Sequence, residues 1–294
     1  MPDGPDTQQH PGSTVYTVSR PATLTSAEGL QPGGNRMLRT SQHLIGVAIA
    51  ATDGDIGRVV DVYFDHEHWA LRYLVVDTGT WLSSRRVLVA PWAFAGLDAD
   101  ERRLAVSLSR AQVRDSPDAA AQGPISRRHE LEFHAYYGYQ PYWLGADPWL
   151  YQPLPGAPLP PAVPMPPDMS AGQKALRPSE ENDVRLRSVN ETAAYHVKAI
   201  DGAIGHVEDF LIDDETWAIR YLVVDTSKRW MGRRVVVSID WISSVSESDR
   251  VVAVGLTRKV IEECPEYDPD RPIEPAYAAR WSRHYERPPY WPGD

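Results

Sequence analysis

Cysteine is nearly missing from this 294-residue chain, where Cys264 is the only one. A single thiol excludes an intramolecular disulfide and a multi-thiolate zinc site. It also points to a reducing compartment, so a cytoplasmic location is expected. Long apolar runs are missing too. No stretch approaches the roughly 18 consecutive apolar residues that read as a membrane-crossing helix. The opening residues, MPDGPDTQQHPGSTVYTV, contain no basic stretch followed by an apolar run, so no secretory signal is expected there. Positive charge is short as well: 30 Lys and Arg against 40 Asp and Glu give a net charge of −10. Residues 37–143 hold 11 basic and 13 acidic side chains, and residues 185–291 hold 15 and 18. Neither segment is the clustered cationic platform that phosphate backbones need, so no specific nucleic-acid partner is expected. A glycine-rich phosphate loop, an H-E-x-x-H helix and a Ser/His/Asp order are all absent from the sequence. No catalytic residue, cofactor or metal is therefore assigned, and an enzyme is not expected.

What the chain does contain is a repeat. Residues 69–78 read WALRYLVVDT and residues 217–226 read WAIRYLVVDT. The matches extend outward at a constant offset of 148 residues: Asp53-Gly54 with Asp201-Gly202, Ile56-Gly57 with Ile204-Gly205, Arg85-Arg86 with Arg233-Arg234, Pro141-Tyr142-Trp143 with Pro289-Tyr290-Trp291. A period this long is a duplicated domain, since solenoid repeats run to about 20–50 residues. Four segments follow. Residues 1–36 read as a disordered leader, 37–143 as the first repeat, 144–184 as a linker and 185–294 as the second repeat. The linker carries the run PLPGAPLPPAVPMPP at 153–167, which favours polyproline II and suits a spacer.

Inside each repeat the strand signals are short and close together. A strand near 46–51 leads into the Asp53-Gly54 turn. Residues 56–65 alternate, and 70–78 form a central strand with apolar side chains on both faces. Leu71, Tyr73 and Val75 are expected on one face, Leu74 and Val76 on the other. Residues 86–90 and 104–108 supply further strands. Ser109 then caps a short helix ending before Pro117, and Thr257 does the same in the second copy. The fold class is mainly β: two small barrels, each with a short terminal helix and an aromatic extension. The extensions, EFHAYYGYQPYW at 132–143 and RWSRHYERPPYW at 280–291, are too polar and proline-broken for a core element. They read as a strap packed on a barrel or as a partner-binding arm. The central strand needs cover on its outer face, and the tethered second copy is the nearest source of it. The two barrels are therefore expected to pack on each other as a pseudo-two-fold pair. Tyr137, Tyr142, Trp143, Tyr285, Tyr290 and Trp291 are the candidate interaction residues at or beside that joint.

Other residues invite chemistry and have blander readings. His66, Glu67 and His68 offer metal-ligand atoms in one turn, but the second copy has Asp214, Glu215 and Thr216 there, so a solvated turn is expected. Asp77 and Asp225 suit turn capping. Asp61 and Asp209 are read alike. Arg85-Arg86 and Arg233-Arg234 are the strongest basic pairs. Cys264 corresponds to Ser116, which argues against a nucleophile.

The pattern Ile56-Gly57, Val59, Asp61, Asp65, Arg72–Thr78, Arg86–Val89, Ser109–Pro117, repeated in the second copy, resembles the PRC-barrel family. The resemblance covers residues 38–117 and 186–265. The family includes the cytoplasmic domain of the photosynthetic reaction-centre H subunit and the C-terminal barrel of a ribosome maturation factor. In both, the barrel is not itself a catalyst and works within a larger assembly. The resemblance thus implies a non-enzymatic interaction or assembly module with a protein partner. A peripheral reaction-centre-like assembly factor and a ribosome-maturation accessory remain as alternatives, and peripheral membrane association stays open.

Overall fold

A computed structural model describes residues 15–17, 37–98, 102–119, 125–139, 141–144, 186–226 and 233–286. The linker expected at 144–184 lies almost wholly outside the described residues, as does most of the leader. Among the described residues no helix is long and apolar enough to cross a membrane.

The fold is mainly β, with two mixed sheets and few helices. Two short strands come first, β1 (Val15–Thr17) and β2 (Leu38–Thr40). The first sheet is built from β3 (Ala48–Ala51), β4 (Gly54–Asp65), β5 (Ala70–Asp77), β6 (Arg86–Val89), β7 (Phe94–Leu97) and β8 (Arg103–Val106). Its order is β6-β5-β4-β3-β8-β7, antiparallel except for β3 on β8. After β9 (Leu186–Ser188), the second sheet uses β10 (His196–Ala199), β11 (Gly202–Asp213), β12 (Ile219–Asp225), β13 (Arg234–Ser238), β14 (Ile242–Ser246) and β15 (Val251–Val254). Its order matches the first, with β1 added on the β14 edge.

Local chemistry explains the framework. Gly54 and Gly202 start the long strands at φ +142° and +144°, which side chains with a Cβ avoid. Gly57 and Gly205 do a different job. A Cβ at either position would sit 1.9 Å from the carbonyl oxygen of Asp77 or Asp225, so β4 and β11 cross their neighbours at backbone contact. Among the helices, α1 (Ser41–Leu44) is a single turn, and α2 (Arg110–Arg114) opens on the Ser109–Gln112 capping box. Helix α3 (Arg127–Tyr137) follows. In the second half α4 (Val189–Thr192), α5 (Arg258–Glu262, capped by Thr257) and α6 (Pro275–His284) recur at the same positions.

One register detail changes the expected faces of the central strand. Tyr63 pairs with Tyr73 but Phe64 pairs with Leu71, so Arg72 is an extra residue on β5. This bulge puts Leu71 in the inner core with Leu74 and Val76, while Tyr73 and Val75 face outward. The second copy has the same irregularity at Arg220.

The two halves exchange strands. β2 pairs antiparallel with β11, setting Thr40 opposite Leu211 and Leu38 opposite Asp213. β9 pairs with β4 in the same way, setting Ser188 opposite Tyr63 and Leu186 opposite Asp65. Between them Ala70 bridges Ala218; Leu71 N donates to Trp217 O at 2.9 Å and Ile219 N to Trp69 O at 2.7 Å. Each contact is its counterpart shifted by the repeat offset. Phe64 meets Phe210 with ring centroids 5.2 Å apart, and Phe94 meets Trp217 at 4.8 Å. One continuous apolar core therefore draws on both halves.

Candidate interaction site

The first extension, read from sequence as a strap packed on a barrel or a partner-binding arm, begins as the last part of helix α3, residues 132–137, and ends in the short turn Tyr142–Leu144. α3 lies over the outer face of the first sheet, where Phe133 joins Tyr63, Tyr73, Val75, Leu88 and the exchanged Leu186 in a second apolar cluster. The helix was hard to read because its buried residues are mostly polar: Arg127, Glu130 and His134 beside Phe133. Apolar periodicity does not register such a face. The available signals were the ends, Ser126 before the first turn and Gly138 after the last at φ +74°.

These polar side chains form one buried cluster. Glu130 is fully buried. Its Oε1 receives an N–H from Arg127 at 3.0 Å, and its Oε2 the hydroxyl of Tyr142 at 3.0 Å. Tyr73 Oη stands 3.3 Å from the same Oε2 and 3.0 Å from His134 Nε2. Arg127 also donates to Tyr142 Oη at 2.7 Å. Both arginines stack on rings: Arg72 lies 3.8 Å from the Tyr142 centroid and Arg127 lies 3.9 Å from that of Trp143. Burial pushes the Glu130 carboxyl up to about 7, although the Arg127 charge and the Tyr142 hydrogen bond pull the other way. Burial likewise holds Tyr73 and Tyr142 well above the usual phenol value.

Asp65 borders this cluster. Burial alone would raise its carboxyl, but the His68 hydrogen bond and the Arg72 charge outweigh burial and hold it well below the ordinary range. Its Oδ2 meets His68 Nδ1 at 2.7 Å and Arg72 Nη2 at 3.4 Å, and Oδ1 accepts Glu67 N at 2.9 Å. Asp65, Glu67 and His68 place ligand atoms within 4.8 Å of one another. The same turn forms in the second copy without the histidine: Asp213 accepts from Glu215 N, Thr216 N and Arg220. Turn capping thus accounts for the aspartate.

The second copy builds the equivalent helix differently. Pro275, Ala278 and Ser282 stand where Arg127, Glu130 and His134 stand in the first. Trp281 is fully buried against Tyr221, Tyr267 and Tyr277, and Tyr285 Oη donates to Val236 O at 2.6 Å. Of the candidate interaction residues, Tyr142, Trp143 and Tyr137 thus pack in and beside the first cluster, Tyr137 against Trp92 and Phe133. Tyr285 packs on its own sheet. Tyr290 and Trp291 lie outside the described residues. The aromatic most open to solvent on α3 is Tyr136, 40% exposed, which the sequence reading had not selected.

The joint between halves rests on other residues. Asp61 accepts from Ser188 Oγ at 2.6 Å and Asn190 N at 3.3 Å. Asp209 accepts from Ser41 Oγ and from Gln42 N, the latter at 3.3 Å. Burial pushes both carboxyls up, against these hydrogen bonds. The arginine pairs also have structural roles: Arg85 donates to the carbonyls of Arg114 and Ser116, and Arg233 to those of Glu262 and Cys264. They close the C-terminal ends of α2 and α5. Asp77 caps a turn through Gly79 N at 2.8 Å. Cys264 is fully buried, and burial pushes its thiol up.

No curated protein matches the chain. The model of the PRC-barrel domain matches residues 41–113, from the first turn of α1 through most of α2. The match covers 73 of the 294 residues, and in that segment the chain is similar to a PRC-barrel domain.

Proposed function

We propose that the chain is a non-enzymatic assembly module made of two closed PRC-type barrels. They arose by duplication and are joined as a pseudo-two-fold pair. The observation that carries this reading is the reciprocal strand exchange, β2 into the second sheet and β9 into the first. Two domains that share strands and a core form one platform. The side chains with chemical potential are committed to that architecture: Asp61 and Asp209 to the joint, Arg85 and Arg233 to helix ends, Cys264 to the interior. What remains for a partner is surface, and α3 offers Tyr136 there, with the half-buried Trp143 in the turn that follows it. The partner is a protein, and the module acts in the cytoplasm.

Affinity capture with the tagged full chain, read by quantitative mass spectrometry beside a Tyr136→Ala, Trp143→Ala variant, tests this. A protein enriched by the wild type and lost from the variant is the expected result. Ribosomal proteins in that set would indicate a maturation role, and membrane complexes a reaction-centre-like one. Equal capture by both chains would overturn the aromatic surface as the binding face.

A further inference from the structure

We propose that Glu130 is a proton-operated latch, and that α3 is a releasable cover over the outer face of the first sheet. The two copies supply the comparison. Their sheets, bulges and helix positions agree, but only the first buries an arginine, a carboxyl and an imidazole on its helix. Around Glu130 stand Arg127 and His134 from α3 itself, Tyr73 and Arg72 from β5, Asp65 from β4 and Tyr142 from the turn after α3. The second copy places Ala278 at the Glu130 position and closes on Trp281.

Proton counting gives the site two arrangements, and they differ by the proton on Glu130. Tyr73 Oη carries one hydrogen and has two close neighbours, Glu130 Oε2 and His134 Nε2. If Tyr73 donates to the histidine, the contact with Glu130 is satisfied only by a protonated carboxyl donating to Tyr73. If Tyr73 donates to Glu130, then His134 Nε2 must carry the hydrogen. The protonated arrangement leaves no ionised carboxylate among the rings, and the ionised one keeps a fully buried carboxylate whose cationic partners are Arg127 at 3.0 Å and, farther off, Arg72. Once α3 lifts, Glu130 is in solvent and returns to an ordinary carboxyl.

A group that binds its proton more tightly when docked makes docking strongest in acid. Stability is complete below the ordinary carboxyl value of 4.5 and is lost as pH rises through about 7. Release uncovers the outer cluster of Tyr73, Val75, Leu88 and Leu186. This conclusion stands whether or not a partner uses that face.

Hydrogen exchange of the full chain, corrected for the intrinsic pH dependence of exchange, reads the opening of α3 against α6. Between pH 5.5 and 8, the open population of α3 should rise about 30-fold, the factor given by a carboxyl moved from 4.5 to about 7. Opening of α6 should stay flat. Glu130→Gln keeps the size but cannot ionise, and its α3 should lose the pH dependence. A flat α3 in the wild type, an equal rise in α6, or a rise retained in Glu130→Gln would each overturn the latch. Should the variant fail to fold, the α3-to-α6 contrast in the wild type still decides.

Discussion

Gly57 is the position where the smallest change should do the most damage. Its backbone is not in the left-handed region, so alanine there meets no conformational penalty of its own. The obstacle is space: the added methyl would lie 1.9 Å from Asp77 O and 2.9 Å from Thr78 Cα. Both neighbours are backbone, so no side chain can swing aside. Strands β4 and β5 must part by more than an ångström beside the Arg58–Asp77 pair. Overpacking of this kind costs about 1–3 kcal/mol, and each ladder hydrogen bond lost adds about 1 kcal/mol. With two such bonds strained, Gly57→Ala should destabilise by about 3–5 kcal/mol. Gly46→Ala is the matched control. Gly46 has φ +85° but nothing within 4 Å of an added Cβ. Its cost is the conformational strain alone, about 1–2 kcal/mol. Urea unfolding of both variants separates the two costs. Gly57→Ala should have the lower midpoint, and Gly205→Ala should match it, because Asp225 O lies at the same 1.9 Å. A Gly57→Ala midpoint at or above that of Gly46→Ala would refute the close crossing.

The remaining predictions concern burial and charge. Val75→Asp and Val223→Asp place a carboxylate at positions 1% exposed, and each should cost several kcal/mol by thermal denaturation; a melting point within a degree of wild type would contradict the buried strand. Asp65→Asn leaves Arg72 without its buried counter-charge and should cost about 3–5 kcal/mol. Because the Asp65 carboxyl is held low, its contribution is present above the ordinary value of 3.8 and is lost as pH falls below it; the asparagine variant should show a shallower acid transition. Binding to structured RNA at about 0.15 M salt should be weak and non-specific, as residues 37–143 and 185–291 carry net charges of −2 and −3; submicromolar affinity measured by fluorescence anisotropy would favour a ribosome-maturation role.

The sequence by itself determined the parts whose causes are local. The central strands show in WALRYLVVDT and WAIRYLVVDT because an apolar run bounded by turns has few other uses. The Ser109 and Thr257 caps, and the glycines of the two Ile-Gly pairs, likewise act within a few residues of themselves or against an adjacent strand. Tertiary structure alone decided three things. The exchanged strands β2 and β9 are three residues long and pair with residues more than 120 positions away, so no local pattern selects one partner over the other. Alternation sets Leu71 on the face of Tyr73 and Val75, and only the ladder reveals the bulge at Arg72 that turns Leu71 to the inner core. Helix α3 buries Arg127, Glu130 and His134, which count as exposed in any hydrophobic pattern. They become interior residues only because Tyr73, Tyr142 and Arg72, from other parts of the chain, arrive to satisfy them.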